Sequence, residues 1–371
     1  MKLRILMLGA CNYPVPQGSQ VFLRDNALAL AERGHEVQLV TYGYGVGRDR
    51  SGLKIHRCRR FPGDRKTAAG PSFAKPFLDL FLVGLLKRVF RQERMDIVYA
   101  HNYEALLVAL LAGTRPIIYH AHNAMADELP YYFPIHALPQ KIGSWLDHTF
   151  PRRAGAIVVP HRRLAGHLIV KGCDHTKVTI VPPPVNLKSF FPCTVETKIP
   201  PVLYTGNLDA YQNLGLLFAA MEIVQKRIPS VELIIATNED ADIPGATVMP
   251  IKGFDSLQQL LAKDHVMAMP RVSWSGYPVK LINGMAAGMA IVACESAAYP
   301  LTDGKNGIIV PDDDVEAFAA ALVRLLLDHE LRRRLGKQAR KTIEDEHRPE
   351  DVAKKLEAIA IALLEAKRNA S

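Results

Sequence analysis

The chain has 371 residues, 49% of them hydrophobic and 22% charged, with a net charge of +9. That length exceeds one ordinary core and implies two domains of roughly 150–200 residues, while the composition excludes a low-complexity or disordered chain. No apolar run approaches the roughly 20 residues that span a bilayer, and Ile5–Ala10 is too short for a signal sequence, so a cytoplasmic protein is expected.

Five scattered cysteines (Cys11, Cys58, Cys173, Cys193 and Cys294) include no CxxC pair, which argues against a disulfide frame or a zinc ribbon. The charge is unevenly divided. Residues 1–195 hold 26 Lys and Arg against 13 Asp and Glu, net +13, and the remainder is net −4. A basic first half either meets an anionic surface or substrate, or is simply a basic surface.

In chain order, "LRILMLGA" reads as a first strand, followed by a loop and the helical pattern "VFLRDNALALAERG" with a stop at Gly34. The loop Gly9–Gln20 contains Gly18 and Ser19. Their backbone N–H groups could approach a phosphate or sugar at the helix N-terminus, or the segment could be a plain turn. It is not a GxGxxG fingerprint. "GYGVG" (Gly43–Gly47) follows the second strand, "EVQLVTY", where that fingerprint does not belong, and no GxxxxGK[ST] occurs. Ser72–Arg94 is strongly apolar with a basic end. It reads as a helix covering a sheet or one lying on a membrane surface, with "RCRRF" and "DRK" adding cations nearby.

The strands "DIVYAHN", "PIIYHAHN" and "AIVVPH" come next. Continuous apolar strands joined by crossover helices mean a parallel sheet covered on both faces. Three histidines fall at strand ends: His101, and then His120 and His122 on the same side of one strand. No cysteine or carboxylate at ligand spacing completes a metal site, so no metal is expected. A polar role in a binding cleft and a structural hydrogen-bonding role both remain open. Glu128 is either a cleft carboxylate or a helix-start residue.

Pro182–Pro201 is proline-rich without helical period and reads as an inter-domain linker. The α/β pattern then restarts with "VLYTGN", "VELIIATN", "ATVMPI", "HVMAMPR" and "AIVACES", and an amphipathic helix, Asp351–Lys367, ends the chain. Two doubly wound units imply a ligand in the cleft between them, at the carboxyl ends of the strands. "PRVSWSGYPVKLINGMAAG" leaves the fourth of these strands. Pro278 suits the first helical turn. The N–H groups of Gly276 and Tyr277, with the helix dipole behind them, suit a diphosphate. Lys280 opposes that dipole, so an anionic ligand is the simpler reason for its presence.

Together "RGHEVQLVT", "DIVYAHN", "KVTIVPPPVNLKSFFP" and "MAAGMAIVAC" resemble, in order and over nearly the whole chain, a GT-B glycosyltransferase of family 4. The resemblance implies two Rossmann-like domains facing across a cleft: an acceptor domain at 1–190 and a donor domain at 191–350. The helix at 351–371 would pack back on the first. It implies retaining transfer of a sugar from a nucleotide-sugar donor, UDP- or GDP-linked, without metal or other cofactor. The acceptor would be a glycan or a lipid-linked glycan of cell-envelope or polysaccharide type.

Two glutamates eight apart, usual in that family, are Ser275 and Asn283 here, and its diphosphate Arg and Lys fall on Asn207 and Gln212. Arg271 and Lys280, on either side of the donor turn, are therefore expected to supply the diphosphate cations. Asn283 is expected to bond the ribose, and backbone near Pro250–Phe254, with Lys252 and Gly253, to hold the base. His122 matches the family's cleft histidine, expected to bond the transferring sugar. Ser19, His101, His120 and Glu128 lie on the acceptor side. The basic half could touch an anionic membrane at the inner face, and no nucleic-acid partner is expected. The lost family positions leave a second reading, a catalytically degenerate protein that binds glycan or nucleotide. An epimerase or phosphorylase would want carboxylates or a cofactor lysine, and neither is evident.

Overall fold

Apolar strands with β-branched and aliphatic residues on both faces can be stable only where helices cover both sides, and that is how both halves are built. The computed structural model describes all residues except 16–17, 46–48, 50, 61–71, 194–196 and 370–371. Cations Arg65 and Lys66, and part of Gly43–Gly47, lie outside the described residues. The chain divides into two compact units, Met1–Pro184 with Pro349–Ser371, and Val185–Arg348.

In unit 1 the described residues form a seven-stranded sheet of β1 (Arg4–Gly9), β2 (Glu36–Thr41), β3 (Lys54–Arg57), β4 (Ile97–His101), β5 (Ile117–His120), β6 (Ala156–Val159) and β7 (Val178–Ile180). Its order is β3-β2-β1-β4-β5-β6-β7, with each neighbouring pair parallel. The helices are α1 (Gly18–Glu32), α2 (Lys75–Gln92), α3 (Asn102–Ala112), α4 (Met125–Glu128), α5 (Ala137–Thr149) and α6 (Arg162–Val170).

Unit 2 repeats the plan with β8 (Val202–Thr205), β9 (Leu233–Thr237), β10 (Thr247–Pro250), β11 (Val266–Met269), β12 (Ala290–Cys294) and β13 (Ile308–Val310). The order is β10-β9-β8-β11-β12-β13, again parallel. Its helices are α7 (Leu214–Arg227), α8 (Phe254–Leu261), α9 (Val279–Ala286), α10 (Val315–Leu327) and α11 (His329–Glu346). Leu217 of α7 and Phe318 of α10 bury one face of the sheet, and Leu281 of α9 and Ile343 of α11 bury the other. The strand order reverses between β8 and β11, so the helices that follow them leave to opposite faces. Such a switch point opens a crevice at the carboxyl ends of the two strands.

The final helix, α12 (Pro349–Asn369), belongs to unit 1. Its stripe Val352, Ala353, Leu356 and Ala360 is buried among Leu3, Ile5, Tyr99 and α1. The Tyr99 hydroxyl donates to the Leu356 carbonyl at 2.5 Å, and Arg33 pairs with Glu357. The proline-rich stretch read as a linker is only partly one: Val185 and Phe190 are buried in the core of unit 2. Lack of helical period marked the absence of helix there, not the absence of packing. α2 starts three residues later than expected. It buries Leu78, Leu82, Leu85, Leu86 and Val89 as a sheet-covering helix does, yet leaves Phe77, Leu80 and Phe81 exposed. Among the described residues no helix is long and apolar enough to cross a membrane.

Leu356 is fully buried. Leu356→Ala is expected to lower the unfolding free energy by about 2–5 kcal/mol, read from a denaturant melt. A loss below about 0.5 kcal/mol would show that α12 is not integral to this core.

Candidate functional site

The carboxyl ends of β8 and β11 carry the densest polar cluster of unit 2. β8 ends at Thr205, and the loop after it passes Gly206 and Asn207 into a 3-10 turn at Ala210–Gln212. The Asn207 side-chain carbonyl oxygen, Oδ1, accepts from Gln212 Nε2 at 2.6 Å and from Lys280 Nζ at 3.1 Å. Its amide donates to Asp209 and, at 3.0 Å, to the Tyr211 hydroxyl. Lys280 Nζ also donates to the Tyr204 hydroxyl at 3.2 Å and lies 5.1 Å from the centre of that ring. Arg271, two residues beyond β11, stacks on Tyr211 at 5.2 Å and bonds the carbonyl and hydroxyl of Ser273. Asn207, Gln212, Arg271 and Lys280 thus meet at the switch point. Among the described residues neither cation forms an ion pair.

Two glycines make this approach possible. A Cβ on Gly206 would lie 1.9 Å from Lys280 Nζ, and Gly206 has φ +130°. A Cβ on Gly276 would lie 2.6 Å from an Arg271 guanidinium nitrogen. Burial, followed by repulsion from Arg271, pushes the Lys280 ammonium down to about 7.

Pro278 is the residue before α9 and not its first helical residue, because its ψ of 84° is outside the helical range. Lys280 is therefore the second residue of the helix. The Tyr277 side chain is buried, with its hydroxyl 3.2 Å from His347 Nε2, so only its backbone can serve an anion. Ser275 is buried. Asn283 is half-buried, one turn beyond Lys280. Lys252 and Gly253 stand between β10 and α8, with Gly253 at φ +136°. No contact joins them to the Lys280 cluster.

In unit 1 the register sets Gly9, His101 and His120 side by side at the ends of β1, β4 and β5, and His122 follows two residues on. The His101 and His120 rings are 4.6 Å apart, and His101 Nδ1 is 3.1 Å from His122 Nε2. Phe22 of α1 covers both His120 and His122. All three histidines are buried. Among the described residues His101 Nε2, His122 Nδ1 and both nitrogens of His120 have no hydrogen-bond partner. Burial drives His101 and His120 well below the ordinary imidazole value and His122 to about 3. The cluster is therefore neutral at physiological pH. No group of three or more His, Cys, Asp or Glu among the described residues is placed to hold a metal ion.

Gly18 and Ser19 are the exposed first residues of α1. Glu128 lies in the single turn of α4, half-buried, accepting from Asn123 and from the Tyr132 hydroxyl at 2.9 Å. Sequence reasoning missed two pairs at the same edge of unit 1. Tyr42 donates to Asp79 at 2.5 Å, and Lys75 to Glu104 at 2.6 Å. It also gave no role to Tyr204 or Tyr211.

Residues 17–184 match the family profile of the glycosyl transferase 4-like domain, and residues 199–328 that of the glycosyl transferases group 1. The chain belongs to the group 1 glycosyltransferases. It is 24% identical to a phosphatidyl-myo-inositol mannosyltransferase of Mycolicibacterium smegmatis, covering 89% of this chain and 86% of that one. It is 25% identical to a sulfoquinovosyl transferase of Arabidopsis thaliana, covering 85% of this chain but spanning only 65% of that relative's length. Among solved structures, a sucrose-phosphate synthase from Thermosynechococcus elongatus superposes with a TM-score of 0.82 at 16% identity, covering 98% of this chain and 100% of that one. Anabaena HepE in complex with UDP-glucose superposes at 0.72 with 14% identity, covering 97% and 99%. The fold of this group 1 glycosyltransferase is GT-B.

Two outcomes are expected. Gly206→Ala should displace Lys280 and weaken nucleotide binding at least tenfold, and should also lower the thermal midpoint, because alanine is strained at φ +130°; unchanged binding by the folded variant would remove Lys280 from the site. The histidine cluster should make stability acid-sensitive. A histidine whose folded value lies below its unfolded value leaves the unfolded chain to take the proton first. Stability is then complete above about pH 6.5 and falls toward pH 3, by up to about 1.4 kcal/mol per pH unit for each ring. His120→Phe should flatten the slope of unfolding free energy between pH 6.5 and 4.5, and an unaltered slope would contradict the neutral cluster.

Proposed function

We propose that this glycosyltransferase moves a sugar, with retention, from a UDP- or GDP-linked donor to a hydroxyl of a glycan or lipid-linked glycan. The observation that carries the reading is the pair Arg271 and Lys280, gathered at the switch point of unit 2 without a carboxylate in contact. A diphosphate is the ligand whose charge answers both. UDP and UDP-glucose are bound by solved relatives of this fold, which supports the same donor class here.

Charge develops on the leaving diphosphate as the glycosidic bond breaks, and the two cations and the backbone N–H groups at Gly276–Tyr277 would stabilise it there. The β-phosphate oxygen that leaves can take the acceptor proton on the same face, so the site needs no pair of catalytic carboxylates of the glycosidase kind. Asp209 is engaged by Asn207, and Glu239 accepts the Leu208 N–H at 2.9 Å. Gln212 and Asn207 would orient Lys280, and Asn283 would meet the ribose. His122, neutral and with Nδ1 unpartnered among the described residues, would bond a hydroxyl of the transferring sugar, with the fully buried His101 and His120 behind it and Ser19 and Glu128 toward the acceptor.

A cytoplasmic enzyme working on a lipid-linked acceptor would touch the inner face of the membrane. On α2, exposed Phe77, Leu80 and Phe81 are followed by exposed Lys87, Arg88 and Arg91, the chemistry of an interfacial helix. Phe77→Ser with Leu80→Ser should halve or more the fraction that cosediments with phosphatidylglycerol vesicles. Equal sedimentation of both proteins would move the contact elsewhere.

The activity is tested by nucleotide release from UDP- and GDP-sugars. Arg271→Ala and Lys280→Ala should each weaken donor binding by about tenfold or more, as the loss of a charge-assisted bond does. His122→Ala should lower turnover more than donor affinity. Donor binding with no turnover on any acceptor would favour the second reading, a degenerate binding protein, which the replacement of both family glutamates by Ser275 and Asn283 supports.

A further inference from the structure

Lys280 is a half-buried cation set among neutral dipoles. An ammonium offers three N–H donors, and two are used, on the Tyr204 hydroxyl and the Asn207 side-chain carbonyl oxygen. The Tyr204 ring and the backbone at Gly206 flank it, and the side chain keeps part of its surface exposed, where a ligand can reach the third N–H.

The charged and titratable groups that face it come from four places. Tyr204 is on β8. Asp209 and Tyr211 are on the loop after β8. Glu239 follows β9, and Arg271 follows β11. Asp209 and Glu239 favour the charged lysine, but from a distance and with their oxygens engaged by Asn207 and the Leu208 N–H. Burial and Arg271 oppose it, and they prevail. Arg271 itself cannot relieve the repulsion, because a guanidinium does not lose its proton.

We infer that binding of a diphosphate at this site is coupled to uptake of a proton by Lys280. The inference rests on the donor-site reading given above. Among the described residues no carboxylate contacts the ammonium. A diphosphate brings two negative charges to the same point and reverses the balance in favour of the charged form.

The direction follows from which state holds more protons. Below about pH 7 Lys280 is already charged, and a ligand binds without changing the proton count. Above it, each molecule bound draws a proton from solution, so affinity falls by up to about tenfold per pH unit. Donor binding is thereby favoured by mild acid, and release of the nucleotide diphosphate by mild base. The residues that set this range are Arg271, Tyr204 and the bound state of Asp209.

The test is titration calorimetry of the full chain with UDP-glucose and GDP-mannose, whose diphosphates do not titrate between pH 5 and 9. Heats are compared at pH 6 and pH 8 in pairs of buffers with different ionisation enthalpies. The expected uptake is about 0.9 proton at pH 8 and about 0.1 at pH 6. Lys280→Arg, which keeps a permanent charge, should show no uptake and an affinity independent of pH over this range, whatever its strength. Binding at pH 8 without uptake, or uptake that survives in Lys280→Arg, would overturn the coupling while leaving the donor site intact. Absence of binding by either nucleotide sugar at pH 6 would instead overturn the donor-site reading, and the coupling with it.

Discussion

Two positive charges held near one another with no carboxylate in contact constitute a strain that a folded protein removes unless an anion is meant to be there. Arg271 and Lys280 are such a pair. Gly206 lacks the Cβ that would strike Lys280, Gly276 lacks the one that would strike Arg271, and Tyr204 and Tyr211 offer their rings to the two cations. The reversal of strand order between β8 and β11 brings the loops bearing these residues together.

Unit 1 offers the opposite chemistry at the matching edge of its own sheet. The His101, His120 and His122 cluster is neutral because it is buried, and its unpartnered nitrogens comprise both donors and acceptors. Neutral imidazoles do not attract phosphate, but they suit hydroxyl groups. The surrounding pairs, Tyr42 with Asp79 and Lys75 with Glu104, are already internally satisfied. On the proposed function, unit 2 would receive the anion and unit 1 the uncharged polar groups, a division that suits a reaction joining a nucleotide-linked sugar to a hydroxyl.

Much of this was legible in the sequence, for physical reasons. A parallel sheet buried on both faces needs continuous apolar strands, and those runs, interrupted by helical periods, declared the doubly wound plan twice. Lys280 stood out because a cation in a first helical turn opposes the dipole, while Asn207, Gln212 and Arg271 were singled out through the family resemblance before their meeting could be seen. Tyr204 did not, because a tyrosine closing an apolar strand looks like core until its hydroxyl is found on Lys280. The Tyr42–Asp79 and Lys75–Glu104 pairs join residues far apart in the chain, and only the order of strands brings them together. Pro278 was displaced by one position because its ring is compatible with both the residue before a helix and the first residue in it. Val185 and Phe190 were hidden by prolines, which report the absence of helix and nothing about burial.

The central claim is that unit 2 binds a nucleoside diphosphate through Arg271 and Lys280. The most direct measurement is the thermal midpoint of the full chain at pH 6.5 with UDP, GDP and ADP, set beside the Arg271→Ala, Lys280→Met double variant. At a hundredfold excess over the dissociation constant, a true ligand adds about 2.7 kcal/mol to stability. The account predicts that increment for at least one of the three nucleotides in the native chain and its loss in the double variant. No shift with any of them, or an equal shift in both proteins, would contradict it.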